Sequence, residues 1–170
     1  MKTIKHLFVA VLALTFLSCG GEKKKEEKQE KIKLGTQKEE KKVDDNVASL
    51  TLVGDDMMKF DKSELKVKAG QKVKLTLRHK GKMDINVMGH NVVILKQGVN
   101  VTVFAGKAAT SKATDYIPAG SEGDIIAHTK LIGGGQTTSI EFDAPAAGTY
   151  DFICSFPGHY ALMKGKFIVE

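Results

Sequence analysis

Arginine, cysteine and tryptophan are scarce in this chain of 170 residues. It contains one arginine (Arg78), two cysteines (Cys19 and Cys154) and no tryptophan, and its formal net charge is +6. Surfaces that bind phosphate cluster Lys and Arg on one face or in one stripe. Here the basic residues are spread along the chain, with no basic run interleaved with aromatic residues. The sequence therefore argues against nucleic-acid binding.

Motifs of enzymatic catalysis are also missing. The sequence shows no paired nucleophile and base, no phosphate-binding glycine loop and no signature of an open catalytic metal site. Because enzymatic turnover needs such groups in named roles, we expect a protein that is not an enzyme.

An apolar run of eleven residues, 7–17, lies near the N-terminus after Lys2 and Lys5. It is too short to span a bilayer as a permanent helix, and its basic flank is typical of an export signal. The run ends in Phe-Leu-Ser-Cys at residues 16–19, which resembles the bacterial lipoprotein cleavage box. We expect a lipoprotein signal peptide over residues 1–18 and lipidation of Cys19; an ordinary secretory signal is the alternative.

Residues 19–45 follow with interleaved Lys and Glu and almost no apolar residues. Such a segment cannot bury enough apolar surface to offset its ordering entropy. A flexible coil of about 25 residues spans roughly 25–30 Å. We predict that this segment is a charged tether between a lipidated cysteine and a folded domain, with a binding tail as the alternative.

Short apolar segments separated by turn residues begin at residue 46. Residues 65–68 and 73–77 alternate apolar with polar side chains, as half-buried strands do. Further strands are predicted at residues 50–53, 91–95, 124–128, 138–142, 149–153 and 166–169, and a helical segment at 98–112. The pattern indicates an all-β sandwich or barrel with one helical insertion, formed by residues 46–170.

Cys154 has no partner within the chain if Cys19 is lipidated. Two cysteines in an exported protein normally suggest a disulfide, so a lone one is either a buried thiol or a metal ligand. Residues 154–163 place a thiolate, an imidazole and a thioether around the loop residues Pro157 and Gly158. Thiolate and thioether suit Cu(I), and imidazole suits both oxidation states of copper. This loop therefore favours copper.

A blue-copper site needs two His and one Cys in a plane with a long axial Met, so the second histidine must come from elsewhere. His90 is the best candidate because Gly89 permits a close backbone approach. Zinc is less favoured, because structural zinc sites normally recruit more Cys or His in short paired spacings. A dinuclear copper centre is excluded because it needs two cysteines in the loop.

Three segments, residues 87–91 (Val-Met-Gly-His-Asn), 126–133 and 154–165, together resemble the azurins of the cupredoxin family. The Cys-x4-His-x3-Met spacing is closer to azurin than to plastocyanin. The resemblance implies a cupredoxin-like Greek-key β-sandwich that binds one copper ion cycling between Cu(I) and Cu(II). The copper ligands that it implies are the Gly89 carbonyl oxygen, His90, Cys154, His159 and Met163, with Met163 weak and axial. It also implies that the backbone N–H groups of Asn91 and Phe156 donate to the Cys154 sulfur.

The resemblance further implies an exposed apolar docking patch around the second histidine. Its residues are Met58, Met83, Val87, Met88, Phe156, Pro157, Ala161 and Leu162. His79 would lie beside the site without binding the metal, either as a packed, hydrogen-bonded core residue or as a pH-sensitive modulator of the potential.

Three features depart from the azurins. The domain cannot form the disulfide that azurins usually carry, Val92 stands where azurins have a buried tryptophan, and the chain begins with a lipoprotein signal. The first two bear on the stability of the domain, and none changes a ligand.

Together these features predict a one-electron carrier with a type 1 copper site. We expect a monomer, lipid-anchored to a bacterial envelope membrane and facing the periplasm, with cytochromes or copper enzymes as redox partners. The alternative is a copper chaperone or scavenger that uses the same ligands and exchanges its metal readily. A membrane-tethered interaction module with a vestigial site is a third possibility, which the full ligand set disfavours.

Overall fold

The computed structural model describes residues 45–170. The predicted signal peptide (1–18), the lipidation site Cys19 and the tether up to residue 44 lie outside the described residues and stay predictions. Within residues 45–170, no helix has both the length and the apolar character needed to cross a bilayer.

The described residues form two β-sheets. The strands are β1 (Val47–Asp55), β2 (Lys59–Phe60), β3 (Glu64–Val67), β4 (Lys72–His79), β5 (Val93–Leu95), β6 (Ile125–His128), β7 (Thr137–Asp143), β8 (Gly148–Ile153) and β9 (Lys164–Val169). One sheet has the order β2-β1-β4-β7 and the other β3-β9-β8-β5-β6. The pairs β1–β4 and β3–β9 are parallel, and the other pairs are antiparallel.

The main core lies between the two sheets. Alternating residues of β4, Val73, Leu75 and Leu77, are fully buried, and they share one cluster with Phe152 of β8 and Phe167 of β9. Burying one such side chain stabilises the fold by about 1.5–3 kcal/mol. The alternation of apolar and polar residues in the sequence thus indicates which face of each strand points inward.

A short helix, α2 (Val101–Ala108), covers the outer face of the five-stranded sheet. Val93 and Leu95 of β5 pack against Phe104 of α2, whereas Ile94 points into the main core. Since β5 is buried on both faces, its sequence is continuously apolar rather than alternating. The Asn100 side chain caps α2 by accepting the Val103 N–H at 3.1 Å. The all-β sandwich with one helical insertion is therefore confirmed.

Two long connections meet at one end of the sandwich. The β4–β5 connection contains a four-residue helix, α1 (Ile85–Met88), and the β8–β9 connection contains a 3₁₀ turn at His159–Ala161. Both were missed by the sequence analysis, as was the two-residue strand β2. The two connections bring the predicted ligands together.

Candidate metal centre

His90, Cys154 and His159 meet in the interior at this end of the sandwich. One ligand atom from each lies within 4.8 Å of the others, and Cys154 Sγ is 3.7 Å from His159 Nδ1. The three residues are 0%, 0% and 3% exposed. The structure thus brings His90 together with a thiol and an imidazole, Cys154 and His159, that lie more than 60 residues further along the chain.

The loop after β8 folds back on itself. The Cys154 N–H donates to the Met163 carbonyl at 2.9 Å, and the Met163 N–H donates to the His159 carbonyl at 2.8 Å. Gly158 turns the chain with φ +80°, a left-handed conformation that favours glycine. Because of this turn, residues five apart in the sequence face one point, which an extended strand would not allow.

His90 is held from three sides. It forms two backbone hydrogen bonds with Ile132, each 2.9 Å, and its ring stacks on His79 with centroids 4.2 Å apart. Gly54 lies against the ring, where a Cβ atom would be 2.7 Å from His90 Cδ2. These contacts restrict the movement of the ring.

The hydrogen-bonding groups around His90 fit a bound cation. Its Nδ1 lies 2.9 Å from the Gly89 carbonyl oxygen and its Nε2 lies 2.8 Å from the Asp55 carbonyl oxygen. A neutral imidazole has one N–H for these two acceptors, and burial lowers the pKa of His90, which disfavours a second proton. The Gly89 oxygen is also 3.9 Å from Cys154 Sγ. If the single N–H is on Nε2, it donates to the Asp55 carbonyl oxygen. Three electron-pair donors then face one another: His90 Nδ1, the Gly89 carbonyl oxygen and the Cys154 sulfur. A metal ion placed between them would accept these electron pairs.

Burial also shifts the pKa values of Cys154 and His159. It raises the pKa of the Cys154 thiol to about 12, and hydrogen bonds from the backbone of Asn91 and Phe156 oppose that rise. Burial, together with the charge of His90, lowers the pKa of His159 to about 4. The imidazoles are therefore neutral and ready to bind a metal, whereas the thiol has to lose its proton on binding. The backbone of Asn91 and of Phe156 thus contacts the Cys154 sulfur, and the role of these two N–H groups at a copper-bound thiolate stays a prediction.

The Asn91 side chain joins the two connections. Its Oδ1 accepts the Ser155 N–H at 2.8 Å, and its Nδ2 donates to Ser155 Oγ at 2.8 Å and to the Asp115 carbonyl at 3.0 Å. Ser155 Oγ in turn donates to the Tyr116 carbonyl at 2.8 Å. Only the Asn91 backbone could be given a role from the sequence, because the residues that its side chain contacts are distant in the sequence.

Met163 and His79 lie beside these three residues. Met163 is fully buried, and its backbone bonds to Cys154 and His159. Its role as an axial ligand stays a prediction. His79 is also buried; its Nδ1 accepts the Gly81 N–H at 3.1 Å, so its Nε2 donates to the Met88 carbonyl at 3.0 Å. His79 is a packed, hydrogen-bonded residue, and its effect on a potential remains untested.

Several predicted patch residues are exposed. Exposure is 43% for Met83, 59% for Val87 and 64% for Leu162, and Pro157 and Ala161 are also exposed. Three others are more deeply placed: Met58 and Met88 are partly buried, and Phe156 is 8% exposed.

Phe156 lies deep because its ring packs against the site, 4.6 Å from the His159 ring by centroids. Met57, which is 73% exposed, was not among the predicted patch residues. Its neighbour Asp56 accepts the N–H groups of Lys82 and Met83, so Met57 lies close to the patch.

Comparison with known proteins agrees with this geometry. A family model of copper-binding proteins, the plastocyanin/azurin family, matches residues 46–170. Azurin-1 of Alcaligenes xylosoxydans xylosoxydans is 44% identical over 121 residues, 69% of this chain and 93% of that protein. Auracyanin-A of Chloroflexus aurantiacus is 43% identical over 113 residues, 65% of this chain and 67% of that protein.

A solved structure of auracyanin A, described as a "blue" copper protein from Chloroflexus aurantiacus, superposes with a TM-score of 0.65 at 35% identity, covering 73% of this chain and 99% of that one. These matches and the buried cluster of His90, Cys154 and His159 show that this chain belongs to the plastocyanin/azurin family of copper-binding proteins, with copper as its cofactor.

Proposed function

We propose that this chain carries single electrons through one copper ion bound by His90, Cys154 and His159. The Met163 thioether would hold the metal weakly, as an axial ligand, and the Gly89 carbonyl oxygen, 3.9 Å from Cys154 Sγ, would face the metal as well. The observation that carries this proposal is the convergence of one buried thiol and two buried imidazoles in a chain of a copper-binding family. Copper supplies a one-electron couple between Cu(I) and Cu(II).

The protein holds its ligands in one arrangement for both oxidation states. His90 is fixed by Ile132, His79 and Asp55, and the Cys154 loop is closed by hydrogen bonds to Met163. Burial excludes water from all three ligands. Little rearrangement would accompany a change of charge, which favours rapid transfer.

Redox partners would dock beside His159. The exposed apolar residues Pro157, Ala161 and Leu162 surround this histidine in the sequence. A small apolar patch gives weak and short-lived association, as a carrier requires. Cytochromes and copper enzymes are the classes of redox protein that we propose as partners, with this chain acting as a carrier rather than an enzyme and as a monomer.

The cell location is part of the same proposal. The apolar run of residues 7–17, the lipoprotein-like residues 16–19 and the charged segment up to residue 45 support a lipid-anchored protein at a bacterial envelope membrane. A tether of that length would let the domain swing between membrane-bound donors and acceptors in the periplasm.

Whether the protein keeps its copper during redox cycling distinguishes an electron carrier from a copper chaperone or scavenger. The copper-loaded protein is cycled between ascorbate and ferricyanide in the presence of an excess Cu(I) chelator, and the electrons and the copper are counted at each cycle. A carrier takes up one electron per copper and keeps its metal, because the ligands are buried and fixed. Transfer of the copper to the chelator within a few cycles would instead favour a chaperone or scavenger.

A further inference from the structure

We propose that Asp55 is a positioning residue for the metal site: its backbone oxygen sets the tautomer of His90, and its buried carboxylate both holds that oxygen in place and favours the oxidised state. The proposal rests on the one-electron function above and adds a determinant of its potential. The azurin resemblance gave no role to this residue.

The Asp55 carbonyl oxygen orients His90. It lies 2.8 Å from His90 Nε2, where it is placed to accept a proton from that nitrogen. The opposite nitrogen, Nδ1, then presents a lone pair on the side where the Gly89 oxygen and Cys154 Sγ lie. Which nitrogen of a histidine binds a metal is set by the hydrogen bond that the other nitrogen makes.

The Asp55 carboxylate holds this carbonyl in place. Its Oδ1 accepts the N–H groups of Met57 at 3.0 Å and Lys59 at 3.2 Å, which closes the turn between β1 and β2. Met58 within this turn has φ +54°, a conformation that a residue with a side chain adopts only when its surroundings impose it. The carbonyl oxygen therefore cannot turn away from His90 while the carboxylate keeps these two bonds.

The same carboxylate places negative charge close to the site. Its side chain is 10% exposed, and its cationic neighbour is the Lys80 ammonium group, 3.5 Å away on a side chain that is 62% exposed. A solvated ammonium group neutralises a buried carboxylate only in part. Because Asp55 is buried and Lys80 is solvated, the negative charge of Asp55 outweighs the positive charge of Lys80 at the His90 ring.

That field favours extra positive charge on the metal site. The Asp55 carboxylate belongs to the residue whose carbonyl oxygen lies 2.8 Å from the His90 ring, so its negative charge attracts positive charge at the site. Oxidation of copper adds one positive charge at the same place. A fixed negative charge nearby stabilises the oxidised state more than the reduced one and lowers the reduction potential.

Two substitutions separate the charge from the turn. Asp55→Asn retains an acceptor oxygen for Met57 and Lys59 and removes the charge, whereas Asp55→Ala removes both. Asp61→Asn is the matched control, because Asp61 also caps this hairpin, accepting the Val53 N–H at 2.7 Å and pairing with Lys62.

The first readout is the reduction potential of the copper-loaded full chain at one pH. We expect Asp55→Asn to raise the reduction potential, which means that the affinity for Cu(I) relative to Cu(II) increases by about threefold or more. The visible spectrum of this variant should stay unchanged. Asp61→Asn should change the potential much less. Equal shifts for the two variants, or a downward shift for Asp55→Asn, would overturn the electrostatic role.

The second readout is the His90 tautomer in the metal-free protein, from long-range ¹H–¹⁵N NMR. We expect the Nε2–H form in the wild type and in Asp55→Asn, and a mixture of tautomers in Asp55→Ala. A single Nε2–H form in Asp55→Ala would overturn the positioning role. Because this readout needs no copper, it remains informative even if the wild type fails to show a one-electron couple, a result that would overturn the proposed function instead.

Discussion

At the scale of the residue, the site depends on electron-pair donors of different strength. Cys154 and the two histidines are buried and face one another, and Met163, which we propose as a weak ligand, is buried at the far end of the same loop. A thioether binds copper more weakly than a thiolate or an imidazole and acts chiefly on the redox potential. If Met163 has this role, it can be changed without dismantling the cluster of His90, Cys154 and His159.

Met163→Leu tests this separation. Leu has a similar volume and should fill the same buried space at a cost below about 1.5 kcal/mol in unfolding free energy. We expect the protein to keep its blue absorption band and to show a higher reduction potential, because a donor that favours the oxidised state is lost. Cyclic voltammetry beside the wild type makes the comparison, and an unchanged potential would remove Met163 from the axial position.

At the scale of the element, the two connections are packed through positions without side chains. Gly89 follows α1, and a Cβ atom there would lie 2.5 Å from the Ile85 carbonyl oxygen and 2.9 Å from Phe156 Cδ2. Both are closer than real Cβ contacts, and the first partner is backbone, which cannot move aside cheaply. The approach of the β4–β5 connection to the Cys154 loop thus requires glycine.

Gly89→Ala should therefore disturb both the fold and the site. We expect the unfolding free energy to fall by about 1–3 kcal/mol, as for overpacking, and the blue band to weaken because His90 moves away from Cys154. Gly106→Ala is the matched control: a Cβ atom at Gly106 meets nothing within 4 Å. This second change lies within α2 and should raise the unfolding free energy by about 0.5–1 kcal/mol. Urea denaturation of both variants measures the contrast; equal effects would show that the Gly89 contact is not limiting.

Much of this architecture was predictable from periodicity. Alternation located β3 and β4 because each buries one face, and the apolar run at residues 91–95 indicated a central strand. The short elements escaped detection: β2 has two residues, the 3₁₀ turn at His159–Ala161 has three, and α1 has four and depends on the Asp84 side chain, which accepts the Asn86 N–H. None is long enough to show a period.

The candidate site was partly predictable for a different reason. Three of its groups lie within ten residues, so spacing and side-chain chemistry pointed to copper and made His90 the best candidate for the second histidine; the azurin resemblance supported His90 and added the Gly89 carbonyl oxygen. The supporting contacts of Asp55 and of the Asn91 side chain were not foreseen. They join residues 35 and 64 positions apart, and such pairings exist only once the sheets have formed.

At the scale of the whole molecule, the exposed apolar residues are distributed unevenly. Met83, Val87 and Leu162 lie on the two connections that form the site, whereas Val103, 54% exposed, lies on α2. An exposed apolar patch marks a docking surface, so electrons should leave through the end of the sandwich that holds the site.

Leu162→Glu tests this exit. We expect an unchanged visible spectrum and a rate of electron self-exchange lower by roughly tenfold, because two copies would then meet with like charges at their contact. Val103→Glu adds the same charge on α2 and should leave the rate nearly unchanged. NMR line broadening in mixtures of oxidised and reduced protein measures the rate; equal slowing by both variants would contradict docking through this end.

The measurement that bears most directly on the central claim is the visible absorption spectrum of the purified protein after addition of Cu(II), and again after ascorbate. The account predicts one intense blue band at one copper per chain that bleaches on reduction and returns on oxidation, since the Cys154 thiolate binds the metal. Cys19→Ser should leave the band intact, and Cys154→Ala should abolish it. A colourless wild type, or a blue band that survives Cys154→Ala, would contradict the account.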